Sequence, residues 1–412
     1  MIPLSYSLRS LMVRKATTFA TAFGIALVVF VFASVMMLGN GIKETLGASG
    51  REDTAIVMSK GAQAELGSTI LQNQVGKIAQ MGGVAQGENG PLAQAEMVVV
   101  ITHPKVGTSG VANVTMRGMP DNWLKFRSEA RIVAGREPKP GTREVVVGRA
   151  ARGRFQGFDI GKSFAMVENQ PFDVVGVFAA GGGSLESEVW GDLEVMRTMF
   201  DRPGLVSSVH VRLMTPGSLQ AFKDGFKNDP QLREYEVERE TKYYEKQANG
   251  LGQFISFLGY AIAVFFAVGA MIGAIITMYG AVATRQREIG TLRALGFSRI
   301  SILLAFLFES LALSAMGGVI GVVAAMGMTT VKFSTMNFAS WSEVVFRFVA
   351  KPGTFQWSIL FAMAMGLVGG LLPAIRAARM SPIKAMRGSS RRRGWHPGRW
   401  LRWLRRPPRC SW

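Results

Sequence analysis

The chain has 412 residues, with 47 Lys and Arg against 28 Asp and Glu, for a formal charge of +19. Basicity of that size suits nucleic acid or an anionic surface, but 48% of the residues are hydrophobic, 48 are Gly and only 18% are charged, below the roughly 25% of soluble domains, which points to a membrane. The single Cys, Cys410, and three scattered histidines, His103, His210 and His396, exclude a disulfide framework and a zinc cluster.

Residues 1–15 form a basic N-terminal segment with Arg9, Arg14 and Lys15 and no acid. The first apolar run, 16–38, has no charge over 23 residues. A bilayer crossing takes about 20 such residues, whereas the apolar core of a signal peptide is about 7–15. With no small-x-small cleavage site after it, the run reads as a retained membrane helix.

Between 39 and 253 the pattern changes to short Val-rich runs separated by Gly and Pro. AEMVVVIT (95–102), NVTMRG (113–118), EVVVG (144–148), FDVVGVF (172–178) and SVHVRL (208–213) read as strands, and PDNWLKFRSEA and LEVMRTMF as short helices, giving an α+β extracytoplasmic domain inserted between the first two membrane helices. LGNGIKETLG before it and EVERETKYYEKQANG after it read as helical stalks. Its candidate chemistry is thin. In GGGSLESEVW (181–190), Ser184 has no neighbouring His, Glu186 and Glu188 read as one strand face, and His103 and His210 are isolated unless the fold brings them together. No HExxH, GxSxG or GxxxxGK[ST] motif occurs, so no catalytic, cofactor or metal residue is assigned.

The second span is 254–280, followed by a basic segment, 281–299. Within it, 285–295 reads as a short amphipathic helix: Ile289, Leu292 and Leu295 recur at i, i+3, i+6, with Arg285, Arg287, Glu288 and Arg293 largely elsewhere. Gly296 is the expected helix stop and Ser298 the expected N-cap of the next helix. The third span, 300–331, is interrupted only by Glu309, an intramembrane acid expected to pair with a basic residue of a neighbouring span or partner, or to reach headgroups or backbone. A short outer loop, 332–352, and a fourth span, 353–375, follow. Gly269 with Gly273, Gly317 with Gly321, and Gly366 with Gly370 place close-packing faces on the last three spans.

Charge partition predicts orientation. Segments 1–15, 285–299 and 376–412 hold nineteen basic residues against Glu288 alone, while 39–253 holds twenty-five of each sign. Basic flanks stay in the cytoplasm. Both termini are therefore expected inside a bacterial inner membrane, with the large domain periplasmic. The tail 376–412 carries Trp395, Trp400, Trp403 and Trp412 among arginines, which fits anionic lipids better than nucleic acid.

The stretch R-x-R-E-I-G-x-L-R-A-x-G at 285–296, E-S-x-x-L-x-x-x-G-G-x-x-G at 309–321 and P-A-x-R-A-A-R-x-x-P-x-x-A-x-R at 373–387 resemble the membrane domain of the MacB/FtsX superfamily of ABC transporter permeases, which includes LolC and LolE. The outer domain resembles a MacB-type periplasmic core more loosely. The resemblance implies a non-catalytic, four-span permease of the mechanotransmission type. It pairs with a second copy or paralogue and sits on two copies of an ATP-binding subunit that uses ATP and Mg2+. It also implies that Arg285, Arg287, Glu288, Ile289, Gly290, Leu292, Arg293, Ala294, Leu295 and Gly296 form a coupling helix. MacB itself carries a fused ATPase; with 15 residues before its first span and no Walker motif, this chain is expected to use a separate one, with or without a periplasmic adaptor. The expected activity is export or extraction of a lipid, lipoprotein, peptide or drug; the alternative is FtsX-type signalling to cell-wall hydrolases without transport.

Overall fold

The computed structural model describes residues 15–88, 90–167 and 170–381. The basic segment read at 1–15 and the basic tail at 376–412 therefore lie almost wholly outside the described residues. Four helices are long and apolar enough to cross a membrane: α1 (Lys15–Gly47), α6 (Glu240–Thr284), α8 (Arg299–Met326) and α9 (Pro352–Arg379). β-branched Ile25, Val28, Val29 and Val31 lie within α1. In hydrocarbon every backbone group must bond within its own segment, which overrides their strand preference. α6 has 45 residues and so is about 68 Å long, more than twice the roughly 30 Å hydrocarbon core. Its polar first turns are the stalk.

The chain divides into two units. One comprises Val31–Ile262 and Val323–Gln356, the other the helical segments up to Phe30, Ala263–Val322 and from Trp357.

The first unit is built on a ten-stranded mixed sheet. Its strands are β1 (Thr54–Ser59), β2 (Ala93–Pro104), β3 (Val111–Met119), β4 (Ala130–Gly135), β5 (Glu144–Gly148), β6 (Ser163–Val167), β7 (Gln170–Ala180), β8 (Val189–Asp192), β9 (Ser208–Arg212) and β10 (Tyr235–Arg239). Their order is β10-β1-β9-β2-β3-β8-β5-β7-β4, with β6 beside β7. Only β5 with β7 and β3 with β8 run parallel. β2 joins the two halves: residues 93–96 pair with β9 and 97–104 with β3. The short helices α2 (Gln72–Ala79), α3 (Trp123–Phe126), α4 (Leu193–Met199) and α5 (Leu219–Asn228) fill the connections. Val145, Val146 and Val147 are all fully buried, as expected for a strand covered on both faces. Trp190 stacks on Phe178 at 3.8 Å and meets Trp123 edge-on at 5.3 Å.

Two expectations change here. Residues 236–239 belong to edge strand β10, so the stalk helix starts only at Glu240. The outer loop contains a hairpin, β11 (Lys332–Asn337) with β12 (Ser342–Arg347). Its turn, FAS followed by Trp341 at φ 53°, lacks the Gly or Pro that marks hairpins. The hairpin is held instead from outside: Val345 N donates to Ser187 Oγ at 3.2 Å, Asn113 Nδ2 donates to the Trp341 carbonyl at 2.9 Å, and Lys105 pairs with Glu343 at 2.7 Å.

In the helical unit, a Cβ on Gly317 or Gly321 would strike the α1 backbone at Ala22 or Ala26, and one on Gly366 or Gly370 would strike Ser314 or Ser310 of α8. These four glycines are among the places where the helices touch, with Gly318 against Ala362 another. Gly269 and Gly273 differ: nothing lies within 4 Å of a Cβ at either position, and the second span packs through another face, on which Ala263, Ala267, Ala274 and Met278 are buried. One polar contact between α1 and α6 is Thr21 Oγ1 to Thr277 Oγ1, 3.0 Å.

Candidate functional site

The segment between the second and third spans forms α7 (Gln286–Ala294), nine residues long. Its C-terminus closes in a Schellman arrangement: Phe297 N donates to the Leu292 carbonyl at 3.1 Å, and Gly296 N donates to the Arg293 carbonyl at 3.2 Å. Gly296 adopts φ 93°, the conformation this cap requires and which glycine alone takes at no steric cost. Arg293 Nη1 donates to the Phe297 carbonyl at 3.2 Å. Ser298 Oγ then accepts from Ser301 N at 3.1 Å, capping α8. Two fixed caps in succession leave no slack between the short helix and the next span.

At the other end, Arg285 is buried and its Nη1 donates to Glu309 Oε2 at 3.0 Å. Sequence reading placed Arg285 among the partner-facing residues; it is turned inward, because a lone carboxylate within a span needs a cation. Ile289 is buried in an apolar cluster with Met278, Val282, Ile302, Phe306 and Ala374, and Gly290 is buried beside it. Leu292 is half-buried, whereas Leu295 is 72% exposed. The outward surface is therefore Arg287, Glu288, Ala294 and Leu295, a mixed polar and apolar strip on a helix fixed at both ends.

A second constellation, in the sheet unit, escaped sequence reading. Gln94, Glu96, Arg117, Ser208 and His210 stand on one face of β2, β3 and β9: Gln94 is opposite His210, and Glu96 opposite Ser208. The reverse face carries Ala95, Met97, Met116, Val209 and Val211 in the apolar core. Alternation marks the polar face as solvated, yet all five residues are buried. Arg117 bonds Glu65 at 2.8 Å, Glu96 at 2.6 Å and Glu188 at 2.8 Å. Arg127 bonds Glu96 at 2.8 Å and lies 3.5 Å from Glu240, the first residue of α6. His210 sits among Glu65 (3.2 Å), Glu96 (3.4 Å) and Glu240 (3.1 Å).

Burial alone would lower the His210 pKa, but the Glu96 charge and the bonds to Glu240 and Glu65 outweigh it and raise the imidazole to about 9. Burial would likewise raise Glu96, but Arg127, His210 and Arg117 bring it down to about 2. The buried cluster sets Glu65, Glu96, Glu188 and Glu240 against two guanidiniums and an imidazolium, with half-buried Glu129 3.6 Å from Arg127 at its edge. Glu65, Glu96 and His210 lie close enough to ligate a cation, with ligand atoms within 4.8 Å, but Arg117 and Arg127 already take the oxygen positions a metal would need. The network reads as a lock between the sheet and the stalk.

The residues weighed for chemistry in this unit are engaged elsewhere. Ser184 Oγ is 2.9 Å from Ser49 Oγ. Glu186 accepts from Arg149 and from the backbone of Ala180 and Gly182. His103 bonds the Gln156 carbonyl at 2.7 Å and stacks on Phe158, apart from the partners of His210.

The FtsX-like permease C-terminal domain family matches residues 260–382, and the MacB-like periplasmic core domain family matches 18–228, about half of the chain. An uncharacterized ABC transporter permease, YknZ of Bacillus subtilis (strain 168), is 25% identical over 92% of this chain and 97% of its own length. The macrolide export ATP-binding/permease protein MacB of Azoarcus sp. (strain BH72) is 25% identical over 92% of this chain, which spans 58% of that protein. The periplasmic region of MacB from Actinobacillus actinomycetemcomitans is similar at 11% identity and a TM-score of 0.36, over 50% of this chain and 98% of that one. Four membrane helices, an inserted periplasmic-type domain and two family matches that together take in every span place the chain in one family: it belongs to the MacB-type ABC transporter permeases, with a MacB-like periplasmic core domain and an FtsX-like C-terminal membrane domain.

Proposed function

We propose that the chain is a permease subunit driven by an ATP-binding partner, with ATP and Mg2+ consumed there, and that it moves a hydrophobic or amphipathic substrate on the outer side of a bacterial inner membrane. The observation that carries this reading is α7: a helix between two spans, capped rigidly at Gly296, tied at Arg285 to Glu309, and presenting Arg287, Glu288 and Leu295 outward. A helix so fixed transmits displacement to α8 rather than absorbing it. The charge partition supports a cytoplasmic position for α7 and both termini. A second permease copy and two ATP-binding subunits complete the assembly.

The test is co-expression with candidate ATP-binding subunits, followed by mild-detergent purification and ATPase assay. Leu295→Asp and Glu288→Arg are expected to lower co-purification and stimulated ATPase at least tenfold, with the permease still inserted. Normal ATPase coupling in both variants would overturn the assignment of α7.

A further inference from the structure

A cavity of about 310 Å3 lies where the end of α1 meets the glycine run at 181–183 and the hairpin strand β12. Glu44, Arg149, Glu186, Lys332 and Arg347 contribute its charged lining. Two of these cancel: buried Glu186 accepts from Arg149 and from the backbone N–H groups of Ala180 and Gly182. Ser184 N donates to Ser49 Oγ at 2.8 Å, which ties the end of the glycine run to the turn that follows α1 and fixes that wall.

The remaining charges are unmatched. Lys332 and Arg347 are directly opposite each other in the hairpin register, and neither makes an ion pair among the described residues. Facing cations across a strand pair repel. A bound anion between them removes that cost, and a guanidinium beside an ammonium is suited to phosphate. Glu44, in the same lining, also lacks an ion-pair partner among the described residues. Two cations and one acid in one cavity match a ligand carrying a phosphate and an amine.

Depth along α1 identifies the source. Its apolar run ends at Leu38. Val349 N bonds the Met37 carbonyl at 3.0 Å, and Arg347 backbone packs so closely on Gly41 that a Cβ there would overlap it. At 1.5 Å per residue, Gly41 is about 4.5 Å and Glu44 about 9 Å beyond the hydrocarbon edge. Headgroups add about 10–15 Å in all to a 30 Å core, about 5–7.5 Å on each face, so Gly41 lies within that layer, and Glu44, on a helix whose side chains lean toward its N-terminus, borders its outer edge. We propose that this cavity binds the zwitterionic headgroup of an aminophospholipid, with phosphate between Lys332 and Arg347 and its primary ammonium at Glu44. The site stands independently of the ATP-coupling reading.

The test is lipid retention by the full chain in detergent, measured by native mass spectrometry after exposure to phosphatidylethanolamine, phosphatidylglycerol or phosphatidylcholine, with free phosphoethanolamine and inorganic phosphate as competitors. Wild type is expected to prefer phosphatidylethanolamine. K332Q/R347Q is expected to retain about tenfold less of it, K332R/R347K to retain it, and E44Q to lose the preference over phosphatidylglycerol while still binding. A K60Q/K227Q control, on the exposed groove near β10, is expected to behave as wild type. Unchanged retention in K332Q/R347Q, with an unaltered circular dichroism spectrum, would overturn the site. Displacement of the lipid by millimolar phosphoethanolamine or phosphate would overturn the lipid source in favour of a soluble ligand.

Discussion

Arg285, at the start of the short helix between the second and third spans, donates to the Glu309 carboxylate at 3.0 Å, and both side chains are buried. This bond ties the start of α7 to the third span. Removing one partner of a buried pair leaves an uncompensated charge and costs about 3–5 kcal/mol. Glu309→Ala is therefore expected to lower the detergent melting temperature and the yield of inserted protein, and Arg285→Leu/Glu309→Leu to recover most of both. If the double variant is no better than E309A, the pair is not the source of the loss.

The cap at Gly296 makes a second prediction. Any side chain at φ 93° is strained, by about 1 kcal/mol or more. Gly296→Ala is expected to lower partner-stimulated ATPase more than it lowers thermal stability, because the loop's stiffness, and not the fold, is what it removes. Equal losses in both, or none in either, would separate the cap from coupling.

Much of the membrane unit was legible in the sequence because its signals are local: charge-free runs, a glycine stop at 296, a Ser298 cap. The sheet unit was legible in five of its ten strands but not in its lock. Glu96, Arg117 and His210 fall on the polar positions of Val-rich strands, where alternation indicates solvent. Only the tertiary fold brings Glu65, Glu240, Tyr243 and Tyr244 over that face. A hint was present: Glu96, Arg117 and His210 lie on the same face of three adjacent strands, with Glu96 diagonal by two residues to each of the other two. The hairpin at 332–347 was missed for a similar reason, its turn being held by long-range bonds to Asn113 and Ser187 instead of by turn residues.

Arg117 should be among the least replaceable residues of the sheet unit. It is 2% exposed and bonds three carboxylates. Arg117→Ala leaves Glu65, Glu96 and Glu188 facing one another without their shared cation, a loss of about 3–5 kcal/mol. Arg117→Lys keeps charge but not the fork that bonds three partners, and falls between. Protease sensitivity of the periplasmic-type domain in the intact protein ranks the three; equal resistance of R117A and wild type would refute the lock.

Small residues should divide sharply by position. Gly317, Gly321, Gly366 and Gly370 each sit against a neighbouring helix, whereas Gly269 and Gly273 face open space within the chain. Gly317→Val and Gly366→Val are expected to destabilise the inserted protein by about 1–3 kcal/mol, the usual cost of overpacking. Gly269→Val should leave monomer stability unchanged. If G269V lowers stability only in the assembled state, read by cross-linking against concentration, the open face of the second span is a contact with a second copy.

His210 sets the direction of the pH response. Its folded pKa is about 9 against 6.5 for a free imidazole, so the folded state holds the proton more tightly. The stabilisation is complete below about pH 6.5 and disappears as pH rises through 9, on the order of 3 kcal/mol in all. Glu96 works the other way: lowered to about 2 from 4.5, it stabilises above pH 4.5 and loses that effect as pH falls toward 2. The sheet unit is thus expected to be most stable between about pH 5 and 6.5. Hydrogen exchange of the Ser208–Arg212 amides in the full chain should accelerate between pH 7 and 9 beyond the intrinsic base-catalysed rise. His210→Gln, less stable at pH 6, should show no such excess. An identical pH profile in wild type and H210Q would mean that the imidazole enters the folded state neutral, and the charge balance of the lock would have to be redrawn.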